Sequence, residues 1–224
     1  MKTLFISKSE DQLSVELKQF CIERKIELIA HSFLQFSLIN AVLPPNFDAV
    51  FFGSPRAVDF YLQQFDISES IQLACIGSGT KAHLEKRGYR VDFHGKEAGN
   101  PDEVARNLKN WLGEKTLLVA RSTISNQSVA KQIPAKQLFD VVVYHTEIVP
   151  RQLKTTVEIL VFTSPSNVSG YISKNEILPT QKIIAWGKTT AKKMIQLGLM
   201  PDFTLKNASE NELIAWLNDF IPNN

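Results

Sequence analysis

The sequence Phe162-Thr163-Ser164-Pro165-Ser166-Asn167-Val168 opens a segment, 162–203, that occurs twice in this chain. The other copy, 52–93, opens with Phe52-Gly53-Ser54-Pro55-Arg56-Ala57-Val58. Eight identities share one offset of 110 positions: Ser54 and Ser164, Pro55 and Pro165, Val58 and Val168, Gly77 and Gly187, Thr80 and Thr190, Gly88 and Gly198, Asp92 and Asp202, and Phe93 and Phe203. A period of this length is domain-sized, so it indicates a duplication and not a solenoid.

Each copy reads as two successive strand–turn–helix units. In the second copy the apolar strand 160–163 ends at Ser164, which occupies an N-cap position, and Pro165 suits the first helical position. The strand 183–186 then runs into a turn at Gly187 and a helix that ends at Gly198. The first copy repeats this order, so four helix N-termini occupy matched positions.

These turns bring hydroxyls and free backbone N–H groups to helix N-termini. Such a terminus binds anions through its unpaired N–H groups and its dipole. The same serines and threonines can equally be helix caps and nothing more. Four capped turns in matched positions favour a ligand surface over caps alone.

Length and composition suit an ordinary globular protein of one large or two ordinary domains, and the repeat favours two of about 100 residues. The chain has 224 residues, of which 44% are hydrophobic and 21% charged, and its net charge is +2. A net charge this small argues against the large basic surface that nucleic-acid-binding proteins have. Cys21 lies in a predicted helix and Cys75 in a predicted apolar strand, so we expect both to be reduced residues of the core. We expect neither a signal peptide nor a transmembrane helix, and we expect a cytoplasmic location.

A second set of matches places the remaining strands. Strand 2–7 is followed by a helix that we expect Ser9 to cap and that extends to about Arg24. An offset of 114 positions relates Leu4 to Leu118, Leu28 to Val142, Ile29 to Val143 and His31 to His145. The alternation predicts parallel sheets covered on both faces, with any ligand beyond the carboxyl ends of the strands.

Signatures of cofactor chemistry are missing from the sequence. Gly77-Ser78-Gly79 is a partial dinucleotide fingerprint whose third position is Ala82. The four histidines have no metal-ligand spacing with cysteines or carboxylates. We therefore expect no nucleotide cofactor and no metal; if the chain is an enzyme, we expect it to act by positioning and electrostatics and not through a nucleophile or a metal.

The ordered set of motifs resembles the uroporphyrinogen-III synthase family. The matching residues are Phe51-Phe52-Gly53-Ser54-Pro55-Arg56-Ala57-Val58, Ile76-Gly77-Ser78-Gly79-Thr80, Val142-Val143-Tyr144-His145-Thr146, Phe162-Thr163-Ser164-Pro165-Ser166-Asn167-Val168 and Trp186-Gly187-Lys188-Thr189-Thr190-Ala191. Two positions depart from the family. Lys8 stands where many bacterial members have an Arg-Pro pair, and Trp186 stands where a small aliphatic residue is usual.

The resemblance implies a particular division of the chain. The repeat alone places a boundary near 114, whereas the family has a discontinuous first domain. Domain 1 is then 1–33 with 150–224, domain 2 is 37–145, and extended linkers lie at about 31–48 and 144–151. Both are α/β domains with parallel sheets.

The resemblance also implies an activity. The family closes hydroxymethylbilane, a linear tetrapyrrole with eight carboxylates, into a macrocycle. The terminal hydroxyl leaves as water, and the last pyrrole ring is inverted through a spiro intermediate. No cofactor takes part, and the polyanionic substrate is expected in a cleft between the domains. We expect a monomer with no nucleic-acid or membrane partner.

The site residues follow from matched positions. Tyr144 is the candidate catalytic residue, because it resembles the family's tyrosine at the end of the strand that enters the linker, and its phenol can hydrogen-bond to the departing hydroxyl. The alternative is a packing aromatic at a hinge. The candidate substrate-binding residues are Ser54, Gly79, Thr80, Ser164, Ser166, Lys182, Thr189 and Thr190. Lys182 can equally be a solvated lysine, and Arg56 and Arg121 are weaker candidates. A two-domain anion-binding or regulatory protein without catalysis is the alternative function, and another enzyme on the same scaffold is a second one.

Overall fold

The computed structural model describes residues 2–96, 101–125 and 127–221. Strands alternate with helices, as the sequence predicts. The strands are β1 (Lys2–Ile6), β2 (Ile26–Ala30), β3 (Leu34–Leu38), β4 (Ala49–Phe52), β5 (Gln72–Cys75), β6 (Phe93–His94), β7 (Leu117–Ser122), β8 (Leu138–Ile148), β9 (Ile159–Phe162), β10 (Lys182–Ala185) and β11 (Phe203–Thr204). The helices are α1 (Val15–Glu23), α2 (Pro55–Leu62), α3 (Ser78–Glu85), α4 (Pro101–Leu112), α5 (Pro165–Ile172), α6 (Lys188–Gln196) and α7 (Glu210–Phe220).

The chain forms two compact units. The first comprises the described residues of Met1–Gln35 and Glu147–Asn224, and the second is Phe36–Thr146. The first unit is therefore discontinuous in sequence. None of the helices in the described ranges combines the length and the apolar character that crossing a membrane requires.

Five parallel strands build the sheet of the first unit, in the order β2-β1-β9-β10-β11. Side chains alternate across it, as they do on any pleated strand. Leu4 and Ile6 pack in an apolar layer with residues of α1 and α7, while Phe5 packs in the opposite layer with α5 and α6. Both faces are covered, as predicted for a parallel sheet.

Six strands build the second sheet, in the order β3-β8-β7-β4-β5-β6. Val50 and Phe52 face the layer that contains α2 and α3, whereas Ala49 and Phe51 face the layer that contains α4. The pairs from β8 to β6 are parallel. The predicted α/β fold with two parallel sheets is confirmed for these strands.

The edge strand β3 is the exception, because it runs antiparallel to β8. Ile39 N–H donates to the Val143 carbonyl at 3.1 Å, and Val149 N–H donates to the Phe33 carbonyl at 2.8 Å, so numbering rises along one strand as it falls along the other. Phe33 and Val149, one residue from each predicted linker, thus pair through a backbone hydrogen bond, and Ile39 of the first predicted linker pairs with Val143, just before the second.

The repeat is visible strand by strand. β4, β5 and β6 of the second unit begin 110 positions before β9, β10 and β11 of the first. The recurring aspartates have one structural role in both copies. Asp92 accepts a hydrogen bond from Leu73 N–H at 2.9 Å, and Asp202 accepts one from Ile183 N–H at 2.9 Å. Each aspartate anchors the start of a strand.

The predicted start of the first helix is wrong. Ser9 makes no side-chain cap; a single 3-10 turn, Glu10–Gln12, follows it. α1 begins five residues later, where the Ser14 hydroxyl accepts a hydrogen bond from Leu17 N–H at 3.2 Å. The reason is tertiary, because the Glu210 carboxylate accepts the Ser14 N–H at 2.7 Å and so fixes the start of the helix.

Candidate active site

Two helices at the carboxyl ends of strands begin with the predicted serine caps. The Ser54 hydroxyl accepts a hydrogen bond from Ala57 N–H at 3.2 Å, and the Ser164 hydroxyl accepts one from Asn167 N–H at 3.2 Å. A proline fills the first turn of each helix. A serine hydroxyl that accepts such a bond still has its own proton to donate. Each serine is therefore able to cap its helix and donate to a carboxylate.

The other two helices begin at glycine turns that offer backbone groups only. Gly77 and Gly187 are the N-cap residues of α3 and α6, and neither provides a side-chain cap. The first turn of α3 contains Gly79, which is exposed, and no atom lies within 4 Å of a Cβ built there. Unpaired N–H groups and the helix dipole attract anions to such a turn. Gly79 lets an anion approach this backbone closely.

The three threonines predicted at these turns differ in accessibility. Thr80 is 3% exposed and Thr190 is 4% exposed, so both side chains are buried in their own units. Thr189 is exposed. Of the three, Thr189 is the one that a ligand in solvent reaches directly.

Ser166 lies near the carboxyl ends of the strands of the first sheet, whereas Lys182 lies at their amino ends. Ser166 is half-buried in the first turn of α5, beside the carboxyl end of β9. Lys182 is the first residue of β10 and so lies at the amino end of that strand. Its Nζ lies 2.6 Å from Asp202 Oδ1. Burial acts to raise the pKa of Asp202, but the bonds from Lys182 and Ile183 N–H outweigh it and lower the pKa. The structure therefore does not bring Lys182 together with the helix N-termini.

A β-bulge sets the direction of Tyr144. Arg121 pairs with Val142, but the next residue, Ser122, pairs with Tyr144, which leaves Val143 as the extra residue. Val143 and Tyr144 consequently pack in the same apolar layer, on the side of α2. In a regular strand two neighbours point to opposite faces, and a bulge re-aims one of them.

The ring of Tyr144 is held by aromatic neighbours. It stacks on Phe60, with ring centroids 4.9 Å apart, and meets Phe36 at 6.1 Å. The residue is 7% exposed. Its hydroxyl has no hydrogen-bond partner among the residues that the structure describes. A rigid ring with an uncommitted hydroxyl is suited to donate one directed hydrogen bond.

A polar network at the ends of β1 and β9 was not predicted. The buried Asn167 side chain donates to the Ser7 carbonyl at 3.0 Å and to the Ser164 hydroxyl at 3.1 Å, and accepts from Phe33 N–H at 2.9 Å. The Thr163 hydroxyl donates to the same Ser7 carbonyl at 2.6 Å. Such a satisfied network rigidifies the strand ends.

The sequence indicated this network through two differences between the copies of the repeat. The positions of the second unit that match Thr163 and Asn167 are Gly53 and Ala57, neither of which has a polar side chain. No side chain at these two positions competes with a ligand for the backbone groups of the α2 turn. A difference inside an otherwise matched motif therefore distinguishes the two units.

The two residues that depart from the family contact each other. Lys8 Nζ lies 5.7 Å from the centroid of the Trp186 ring and 2.5 Å from Glu210 Oε1. Burial acts to raise the pKa of Glu210, but its bonds with Lys8 and Ser14 outweigh it and lower the pKa. Lys8 is therefore already neutralised by a carboxylate of its own unit.

Both weaker arginine candidates have partners in their own unit. The guanidinium of Arg56 lies 3.5 Å from the centroid of the Phe36 ring. Arg121 makes a two-pronged ion pair with Asp140, at 2.5 and 2.7 Å. These contacts position the arginines near the ends of β4 and β7.

His31 lines a cavity of about 320 Å³ in the first unit, together with Glu10 and Arg151. Its Nε2 atom is buried and has no hydrogen-bond partner within the described ranges. Burial, and to a smaller extent the charge of Arg151, lower the pKa of His31. The described residues contain no group of three or more histidines, cysteines or carboxylates placed to hold a metal ion.

Comparison with known proteins identifies the family. A family model described as "Uroporphyrinogen-III synthase HemD" matches residues 26–215, which is most of the chain. The chain belongs to the uroporphyrinogen-III synthase family. This family comprises cofactor-independent, lyase-type cyclases of haem biosynthesis. The predicted family and the predicted synthase function are thereby confirmed, and nothing found supports the alternative of a binding protein.

Solved structures agree with the fold. The uroporphyrinogen-III synthetase of Helicobacter pylori is similar with a TM-score of 0.70 and 19% identity, covering 98% of this chain and 100% of that one. A mutant uroporphyrinogen III synthase from the extreme thermophile Thermus thermophilus is similar with a TM-score of 0.62 and 11% identity, covering 98% and 97%. Identities this low support the shared α/β fold and nothing finer. No curated protein sequence matches the chain.

Proposed function

We propose that this synthase binds hydroxymethylbilane at the carboxyl ends of its strands and that Tyr144 assists loss of the terminal hydroxyl. The observation that carries the proposal is the family match over residues 26–215. The reaction removes the hydroxyl as water, inverts the last pyrrole ring and closes the macrocycle.

The carboxylates of the substrate bind at the helix N-termini. In the second unit the groups are the Ser54 hydroxyl and the α3 turn at Gly79; in the first they are the hydroxyls of Ser164, Ser166 and Thr189. Support comes from the N-termini of α3 and α6, which have no side-chain cap, and from the position of all four helix N-termini at the carboxyl ends of the strands. A hydrogen bond to a charged group contributes about 1.5–3 kcal/mol, so several together hold a polycarboxylate.

Buried Thr80 and Thr190 act indirectly in this proposal. Their side chains fill the first turns of α3 and α6 from inside, and so fix the geometry of the exposed N–H groups. Lys182 has no contact with substrate, since it lies at the amino edge of the sheet.

Tyr144 donates a hydrogen bond to the leaving hydroxyl. Support comes from the bulge that turns the ring toward α2, the stacking on Phe60 and the uncommitted phenol group. General acid assistance typically accelerates a step about 10²–10⁴-fold. We expect a contribution at the low end of that range or below, because positioning supplies most of the acceleration.

We propose further that the two units correspond to the domains 1–33 with 150–224 and 37–145, and that the enzyme works as a cytoplasmic monomer. Cys21 and Cys75 are free and buried, and burial raises the pKa of each thiol to about 11. Two unpaired thiols suit a reducing compartment. Light scattering during gel filtration tests the monomer directly.

Multiple turnover tests the catalytic role against simple binding. Freshly prepared hydroxymethylbilane in hundredfold excess is mixed with the protein, and its disappearance is followed above the spontaneous rate. A synthase consumes many equivalents per protein molecule. A protein that only binds the bilane slows its disappearance or alters at most one equivalent, and that result would overturn the proposal.

A further inference from the structure

An apolar groove with a basic rim runs along α6 in the first unit. We call it the α6 groove and define it by Lys188, Lys192, Ile195, Leu205 and Lys206, which line a cavity of about 660 Å³. Ile195 is 53% exposed, although it is a large apolar residue. The volume falls in the range of small-molecule sites, about 300–1,000 Å³.

The three lysines of the groove are not neutralised within the described part of the chain. No salt bridge or hydrogen bond there involves the ammonium group of Lys188, Lys192 or Lys206. The neighbouring Glu212 carboxylate accepts the backbone N–H groups of Lys206 and Asn207, at 2.8 and 2.7 Å. Lys188 and Lys192 are four residues apart on one helix and so lie on one face, about 6 Å apart along the axis.

The internal repeat provides a control for the groove. In α3 the positions that match Lys188, Lys192 and Ile195 are Ser78, Ala82 and Glu85. The position that matches Leu205 is Gly95, where a Cβ would lie 2.5 Å from a Val104 methyl group. The second unit thus lacks two of the three lysines of the rim, although Lys96 matches Lys206, and Val104 of α4 leaves no space for a side chain at Gly95. The α6 groove is therefore not a requirement of the repeated fold.

We infer that the α6 groove binds a carboxylate-bearing tetrapyrrole, with a pyrrole ring on the apolar floor and carboxylates on the three ammonium groups. The inference rests on the proposed function, and it adds a contact region of which the matched motifs contain only Lys188 among the defining residues. Two observations select this class of ligand. An apolar floor favours a ring system, and a rim of uncompensated positive charge favours its carboxylates. The groove also begins at the first residue of α6, next to Thr189, so it extends the anion-binding turn along the helix.

Binding of uroporphyrin III, a stable fluorescent macrocycle with eight carboxylates, tests the groove. The protein is titrated at low and high salt, and the double variant Lys192→Glu with Lys206→Glu is compared with wild type. The matched control is Lys86→Glu with Lys109→Glu, which makes the same charge change at exposed positions of the second unit. We expect the Kd of the groove variant to rise at least tenfold and that of the control less than twofold. The difference should shrink at high salt, because exposed charges are screened.

The apolar floor needs a separate variant. Ile195→Ser removes apolar area at an exposed position without altering charge, and we expect a Kd increase of about threefold or more. Unchanged uroporphyrin affinity in the groove variant overturns the inference, and so does equal competition by citrate, a polycarboxylate without rings. The isomers formed from hydroxymethylbilane are measured in parallel. Type III product from wild type together with unchanged affinity rejects the groove alone, whereas type I product from wild type rejects the proposed function itself.

Discussion

The ring of Tyr144 lies parallel to the ring of Phe60, with their planes 11° apart and their centroids 4.9 Å apart. The two matching positions of the first unit are Ala30 and Gly170. A Cβ built on Gly170 would lie 2.5 Å from the Cβ of Phe33, so that unit has no room for a second stack. The two copies of the repeat therefore differ at the positions where the second unit has the stacked rings of Tyr144 and Phe60. This difference favours a chemical role for Tyr144 over packing alone.

Replacing Tyr144 by Phe is expected to lower kcat about 10- to 100-fold with little change in KM. The substitution keeps the ring, and with it the contacts with Phe60 and Phe36, so the free energy of unfolding should change by less than about 1 kcal/mol. Steady-state kinetics and urea unfolding check the two expectations. Tyr61→Phe is the control, because Tyr61 is a buried core tyrosine of the same unit. Equal kcat in both variants would make Tyr144 a packing residue.

A substitution at Gly79, the exposed glycine of α3, is expected to change substrate binding and protein stability in opposite directions. Gly79→Ala is expected to stabilise the helix by up to about 1 kcal/mol, since no atom lies within 4 Å of the added Cβ. The same methyl group obstructs an anion that approaches the backbone of the turn, so KM should rise severalfold. Thermal unfolding and initial rates measured on one preparation give both numbers. A more stable variant with unchanged KM would show that no carboxylate binds at this turn.

Replacement of Lys182 is expected to lower stability slightly and to leave activity unchanged. Lys182→Ala removes a partly exposed ion pair with Asp202, whose N–O distance is 2.6 Å. Such pairs contribute about 0–1 kcal/mol, so a small loss of stability is expected. The value of kcat/KM should stay within twofold of wild type, because the side chain lies at the amino edge of the sheet. A tenfold loss in a stable variant would place a substrate carboxylate at that edge.

His31 is expected to make stability depend on pH. Burial and the charge of Arg151 lower its pKa in the folded state below the ordinary value of 6.5. As pH falls through 6.5 the unfolded state takes up a proton before the folded state does, so the free energy of unfolding decreases. This loss is complete once pH is below the folded pKa. In His31→Gln the contribution is absent, so the stability of wild type relative to the variant should decline as pH falls through 6.5. Urea unfolding above and below that pH measures it, and parallel curves would contradict the assigned direction.

The sequence predicted local structure well where local chemistry decides it. The caps at Ser54 and Ser164 depend on residues three positions away, and both were predicted correctly. The start of α1 depends on Glu210, which lies 196 residues after Ser14, so the choice of Ser9 was wrong. Local capping preference carries no information about a partner so distant in sequence.

The candidate site was less predictable for a similar reason. The face on which Tyr144 lies is decided by the bulge opposite Arg121 and Ser122, and alternation along β8 does not reveal a bulge. The burial of Thr80 and Thr190 depends on how each helix packs on its sheet. The difference between Asn167 and Ala57 was visible in the repeat, because it interrupts a matched motif.

The isomer composition of the product tests the central claim most directly. The purified protein, freed of metal by a chelator, is given freshly prepared hydroxymethylbilane; the products are oxidised, and the type I and type III uroporphyrins are separated by chromatography. Spontaneous closure gives type I, since it leaves the last ring in place. The account predicts predominantly type III with no added nucleotide or metal. Type I alone, from folded protein at micromolar concentration, would contradict it.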